Sequence, residues 1–195
     1  MVRDAAAEQR GPVALTWLDA PARADHMFLA DSDQCAYLSE YAAGQGLRAG
    51  PCNQLIRNFK CEPSIARGNA RRAHYKRQAM STLARWLRRA ITREQVERWT
   101  WVPVPPSRQR GDPDFDDRLS NTLSLAFEGY DLDLRCVLGQ SQSTARDHTA
   151  GTRLPEETLY RLLQIDLEIL GQRPLRERIV LFDDMLTSGK HYKCS

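Results

Sequence analysis

Arg178-Ile179-Val180-Leu181-Phe182-Asp183-Asp184-Met185-Leu186-Thr187-Ser188-Gly189 decides the reading of this chain. An apolar run followed by a turn marks a buried strand, and its two carboxylates fall at the carboxyl end, where open α/β sheets bind ligands. Adjacent acids suit vicinal hydroxyls. Thr187 and Ser188 add hydroxyls, and Gly189 lets the backbone turn so that N–H groups close around an anion. The pattern predicts a strand over 178–184 and, after it, a site for a ligand that carries both a diol and a phosphate. The competing reading is a plain acidic turn after a strand. A Walker A loop around Gly189-Lys190 fails on spacing, because it needs Gly where Asp184 stands and Ser or Thr where His191 stands.

Outward from this stretch, residues 98–105 read as a second strand ended by Pro103, Pro105 and Pro106. Asp116 and Asp117 start a helix that runs through Leu119, Leu123, Leu125 and Phe127 to Gly129. Residues 132–138 read as a strand, 139–154 as a long mobile polar segment, and Pro155 opens a helix to about 170. Strand, helix, strand, loop, helix, strand and phosphate loop in that order predict a parallel sheet with right-handed crossovers.

The 178–190 stretch resembles the phosphoribosyl pyrophosphate (PRPP) signature of the type I phosphoribosyltransferases: apolar residues, two acids, an apolar pair, then Thr-Thr/Ser-Gly. The resemblance implies a Rossmann-like α/β core of that family. It makes Asp183 and Asp184 the catalytic acid pair on the ribose 2′- and 3′-hydroxyls, and Thr187, Ser188, Gly189 and Lys190 the 5′-phosphate loop. Lys190 stands where the family has a small residue. Val102-Pro103-Val104-Pro105-Pro106-Ser107-Arg108-Gln109-Arg110-Gly111 resembles the pyrophosphate-side loop of the family's DNA-uptake competence and amidophosphoribosyltransferase-like branch, without that branch's Cys-rich zinc element. This implies Ser107, Arg108 and Arg110 as pyrophosphate-binding residues, since Arg matches phosphate geometry. The implied reaction transfers phosphoribosyl from PRPP, carried with Mg2+, to a base nitrogen or ammonia, and releases pyrophosphate. The alternative is a non-catalytic PRPP or nucleotide sensor on the same fold.

In the family a flexible hood covers the reacting sugar, which places Gln140, Gln142, Arg146, His148 and Arg153 near pyrophosphate. Asp112, Asp114, Asp116 and Asp117 read either as acids that hold Mg2+ through water or as acids complementing a helix N-terminus. The resemblance also implies a helix and a strand after the loop, where only residues 191–195 remain. The chain therefore reads as short at that end, with the 182 strand an exposed edge prone to self-association into a homo-oligomer.

The first 92 residues read as a mainly helical elaboration on a core over 93–195. A strand is expected over 13–18, a helix over 33–44 capped by Ser32, and a short helix over 54–60 that Pro63 ends. The clearest helix spans 69–91: Met80, Leu83, Trp86, Leu87, Ala90 and Ile91 recur every three or four residues. Its other face carries Arg71, Arg72, Lys76, Arg77, Arg85, Arg88 and Arg89. That face reads first as a solvated surface, with nucleic acid as the alternative partner, since no aromatics interleave for stacking. Thr92 caps a short continuation.

With 195 residues and 42% hydrophobic content, the chain can bury the core of one domain. Its 28 basic and 25 acidic residues give +3, a mixed surface rather than a polycation. Cys35, Cys52, Cys61, Cys136 and Cys194 are odd in number and lack Cys-x-x-Cys spacing. Without a secretory signal, they read as reduced thiols of a cytoplasmic protein and not as a zinc site. The four histidines, His26, His74, His148 and His191, are scattered and form no triad. No apolar run reaches membrane-spanning length.

Overall fold

A computed structural model describes residues 14–42, 44, 50–144, 156–189 and 193–194. The fold is mixed α/β, and its centre is a three-stranded parallel sheet. Strands β1 (Thr16–Trp17) and β2 (Ala36–Tyr37) form a small antiparallel pair near the start. Strand β3 (Trp99–Pro103) lies between β4 (Asp133–Leu134) and β7 (Arg178–Phe182), both parallel to it. All five β3 residues are in register with β7, from Trp99 opposite Arg178 to Pro103 opposite Phe182. Strands β5 (Leu138–Gln140) and β6 (Leu163–Ile165) form a separate antiparallel pair.

The long helix Ala70–Ala90 starts where the Asn69 side chain accepts the Arg72 N–H at 3.1 Å and ends at Ile91, whose backbone is extended. It buries Ala79, Leu83, Ala84, Trp86 and Leu87. A capping box, Thr92 with Gln95, then starts Arg93–Arg98 and delivers the chain into β3. One buried cluster joins Phe59, Leu83 and Leu87 to Trp101, Leu123 and Phe127, so the helical elaboration and the sheet share a core across residue 92. Trp101 and Phe127 pack with ring centroids 5.3 Å apart, and Arg88 lies 4.0 Å above the Tyr130 ring. Truncating the 2% exposed Leu87 to Ala would cost about 2–5 kcal/mol.

The amino end of the sheet is stitched by charge. Asp133 is fully buried and accepts the Thr100 hydroxyl at 2.7 Å, while the Thr100 oxygen takes the Arg176 N–H at 3.0 Å, so β4, β3 and the approach to β7 are tied together. Arg135, 3% exposed, spends its donors on both Asp133 oxygens and on the carbonyls of Leu170, Arg173 and Pro174. Burial would raise the Asp133 pKa, but the Arg135 and Thr100 hydrogen bonds outweigh it and hold the carboxyl low.

Four expectations need correction. No helix forms over the described part of 33–44: Ala36–Tyr37 pairs with Thr16–Trp17, and the buried Asn53 carboxamide binds the Ala42 N–H and C=O at 3.1 and 2.9 Å. Tertiary pairing here overrides a helical spacing of Tyr37, Leu38 and Tyr41. The helix expected from Pro155 to 170 is two short helices, Glu156–Leu162 and Leu167–Gly171, because Leu163–Ile165 pairs with Leu138–Gln140. Asp166 restarts the helix by accepting the Ile169 N–H. The strand expected over 132–138 is likewise split, since Asp133–Leu134 pairs with β3 while Leu138–Gln140 pairs with β6. Pro63 does not end a helix but opens one, Pro63–Gly68, where its missing N–H costs nothing.

Among the described residues β7 has a partner on one side only, and its Ile179 is 55% exposed. No described helix is long and apolar enough to cross a membrane.

Candidate functional site

The chain leaves β3 to form β4 on one side and returns on the other as β7. This reversal of strand order opens a crevice at the carboxyl ends of β3 and β7. The segments after β3 and after β7 both emerge there, and Val104 N–H reaches back to the Phe182 carbonyl at 2.9 Å to hold them side by side. A cavity of about 1270 Å³ opens at this crevice and runs back along β7 to the β1–β2 pair and the helix Ala70–Ala90. Ser107, Arg108, Asp183, Asp184, Thr187, Ser188 and Gly189 all line it, together with Lys60, Asp116 and Arg118.

The two acids are not equivalent. Asp184 is almost wholly buried, its side chain 4% exposed, and both its oxygens are taken: Oδ1 by the Lys60 ammonium at 2.9 Å, Oδ2 by the Arg118 guanidinium. Arg118 also pairs with Asp116 at 3.0 Å, and Lys76 holds the same Asp116 oxygen at 2.8 Å. Burial would raise the Asp184 pKa, but the Arg118 and Lys60 charges and hydrogen bonds win and depress it. Arg118 is held charged by the same two acids against the cost of its burial. Asp183 is the exposed member of the pair and lines the cavity. The protein packed around it and the neighbouring Asp184 charge raise its carboxyl to about 7. Asp183 is therefore the acid offered to a ligand, able to carry a proton near neutrality.

The Thr187-Ser188-Gly189 loop is built from outside. His26 presents Nδ1 to the Thr187 carbonyl, Phe28 N–H donates to the Ser188 carbonyl at 3.0 Å, and Lys193 N–H donates to the Gly189 carbonyl at 3.1 Å. The backbone N–H groups from Met185 to Gly189 donate to no described group. The Thr187, Ser188 and Gly189 carbonyls are thus engaged from outside the loop, and its N–H groups are left without a partner among the described residues. Gly189 is required there: its φ is +82°, and a Cβ would lie 2.8 Å from the Leu29 side chain.

Opposite, the Ser107 carbonyl accepts the Thr144 N–H at 2.8 Å, so the segment after β5 is fastened to the loop after β3. Arg108 faces the cavity with its nearest acid, Asp112, 3.9 Å away. Arg110 does not line the cavity: its guanidinium donates to the Cys136 carbonyl beside β4. Gln140 lines the cavity and its Oε1 is buried without a partner among the described residues, whereas Gln142 is exposed and does not line it. Lys190, Arg146, His148 and Arg153 lie outside the described residues.

The acids after Arg110 serve local structure. Asp112 accepts from Ser143 at 2.5 Å and from Asp114 N–H at 2.8 Å, and the Ser143 bond lowers its pKa first. Asp114 accepts Ser64 N–H at 2.7 Å. Asp117 sits at the N-cap of Arg118–Ala126 without a side-chain capping bond. An Mg2+ site built from these carboxylates does not fit this donor set: Asp116 already faces Lys76 and Arg118, and Asp112 and Asp114 are engaged by Ser143 and by the Ser64 N–H.

Sequence reasoning missed Lys60, Lys76 and His26. Only long-range packing brings them here, so no local pattern marked them. Arg118 lay beside the noted Asp116-Asp117 pair, and its partner across 66 positions was not legible. Comparison with family models, curated proteins and solved structures finds no match.

Proposed function

We propose that this cavity binds a phosphorylated ribose on a type I phosphoribosyltransferase-like core, and that the protein transfers phosphoribosyl from PRPP to a nitrogen acceptor. The observation that carries the reading is the meeting of two features at one crevice: a Thr-Ser-Gly loop whose N–H groups have no partner among the described residues, and a cavity-lining acid beside it. Thr187 and Ser188 with the loop N–H groups receive the 5′-phosphate, Asp183 hydrogen-bonds a ribose hydroxyl, and Ser107 and Arg108 across the crevice receive pyrophosphate. The C1–O bond to pyrophosphate breaks with the electron pair leaving on pyrophosphate, the acceptor nitrogen lone pair closes on C1, and the nitrogen gives up its proton to the departing pyrophosphate. No protein nucleophile is needed. The residues contribute by positioning the sugar, by neutralising the leaving group and by excluding water.

The test is a thermal shift of the full chain with PRPP, ribose 5-phosphate, pyrophosphate and ATP, because a ligand bound only by the native state raises its melting temperature. Stabilisation by PRPP and ribose 5-phosphate well beyond that by ATP supports the assignment, and no shift with either refutes it. Pyrophosphate release with a panel of bases and ammonia then separates a transferase from a sensor.

A further inference from the structure

A site for sugar phosphates has to meet their negative charge with metal ions or with fixed Lys and Arg side chains. Resting on the sugar-phosphate reading above, we propose that this site binds its ligand without a protein-held divalent cation: Lys60 and Arg118 occupy the positions on Asp184 that a metal would take and supply the positive charge in its place.

The geometry is specific. Lys60 and Arg118 approach opposite oxygens of Asp184, and Arg118 and Lys76 converge on one oxygen of Asp116. The side chains of Asp184, Asp116, Arg118 and Lys76 are 4%, 5%, 11% and 12% exposed, so the arrangement is closed to water. Mg2+ binds oxygen at about 2.0–2.1 Å in a nearly ideal octahedron. On an Asp184 oxygen it would stand beside the Lys60 ammonium or the Arg118 guanidinium, and seating it there would break that ion pair. With Asp183 counted, three cations face three carboxylates here, so positive charge reaches a ligand only from the side chain that extends into the cavity. Lys60, the most exposed of the three at 28%, presents it to the cavity. Asp183 is the remaining member of the pair, and one of its oxygens already accepts the Asp184 N–H at 2.7 Å.

Two titrations of the full chain test this. Mn2+ alone, followed by its paramagnetic resonance signal, is expected to show no stoichiometric binding. Ribose 5-phosphate, followed by calorimetry, is expected to bind with the same affinity, within about twofold, in EDTA and in Mg2+. Lys60→Met removes the ammonium and opens an Asp184 oxygen. It is expected to lose about tenfold in ribose 5-phosphate affinity in EDTA and to recover part of it with Mg2+, while Lys60→Arg keeps the metal-independent affinity. A folded Lys60→Met with unchanged affinity refutes the charge role of Lys60. Mn2+ binding by the parent that disappears in Asp184→Asn, or ribose 5-phosphate binding by the parent only with Mg2+, overturns the inference without any variant. A parent that binds no ribose 5-phosphate under either condition refutes the sugar-phosphate reading and the ligand half of this inference, and the Mn2+ titration still decides the metal half.

Discussion

Replacing Arg118 by Met keeps most of the side-chain length and removes the charge that joins Asp184 to Asp116. Breaking a buried ion pair by deleting one partner costs about 3–5 kcal/mol, mostly from the charge left behind. Here Asp184 keeps Lys60 at 2.9 Å and Asp116 keeps Lys76 at 2.8 Å, so neither acid is left alone, which places the cost at the lower end, about 3 kcal/mol. The contact of the guanidinium with the Phe59 ring, 5.5 Å from its centroid, is lost as well. For a chain of this size each kcal/mol moves the melting temperature by about 2–4 °C, so the expected drop is about 6–12 °C at neutral pH. Asp184 has a depressed pKa in the folded state, so its contribution is present above the ordinary carboxylate range and is lost as pH falls through the folded value. The gap between parent and variant should therefore narrow on acidification below about pH 4. Thermal and urea melts across pH measure both quantities. Removing the surface pair partner Arg93, which is 62% exposed, serves as the control that should barely move the melt. A drop of less than about 1 kcal/mol, the range of exposed ion pairs, or a gap that does not depend on pH, would refute the buried-network reasoning.

Asp183→Asn should weaken ribose 5-phosphate binding. It should also remove a pH dependence: with its carboxyl raised to about 7, folded Asp183 binds more protons than unfolded between the ordinary carboxylate range and neutrality, so parent stability falls as pH rises across that window, while the Asn variant does not fall with it. Parallel stability curves for the two would show that Asp183 is not perturbed. Gly189→Ala forces a side chain into a left-handed backbone and against Leu29, and should cost at least about 1–2 kcal/mol in urea melts while weakening anion binding; a neutral result would mean the loop is not held as described. Arg108→Ala should lower pyrophosphate affinity more than Arg110→Ala, because only Arg108 lines the cavity; equal losses in calorimetry would contradict that placement. Asp133→Ala leaves Arg135 buried without its acid and should cost about 3–5 kcal/mol in a chemical melt, against which a loss below about 1 kcal/mol would count.

Where a residue's surroundings lie close along the chain, the sequence was sufficient by itself. The 69–91 helix, the capping at Thr92, the strand ended by prolines and the 178–182 strand follow from spacing, caps and apolar runs that act over a few residues. The same local grammar placed two acids and a Thr-Ser-Gly turn at a strand's carboxyl end. It failed at 33–44, at 132–138 and at 163–165, where pairing with a distant strand outweighs local preference. It also could not separate Asp183 from Asp184, which are neighbours of identical chemistry. Only the tertiary structure does that: Lys60, 124 positions away, and Arg118, 66 positions away, turn one acid into a buried counter-ion and leave the other facing the cavity. The electrostatic field that sets each acid's protonation depends on charges brought near by folding, and sequence neighbours do not report it.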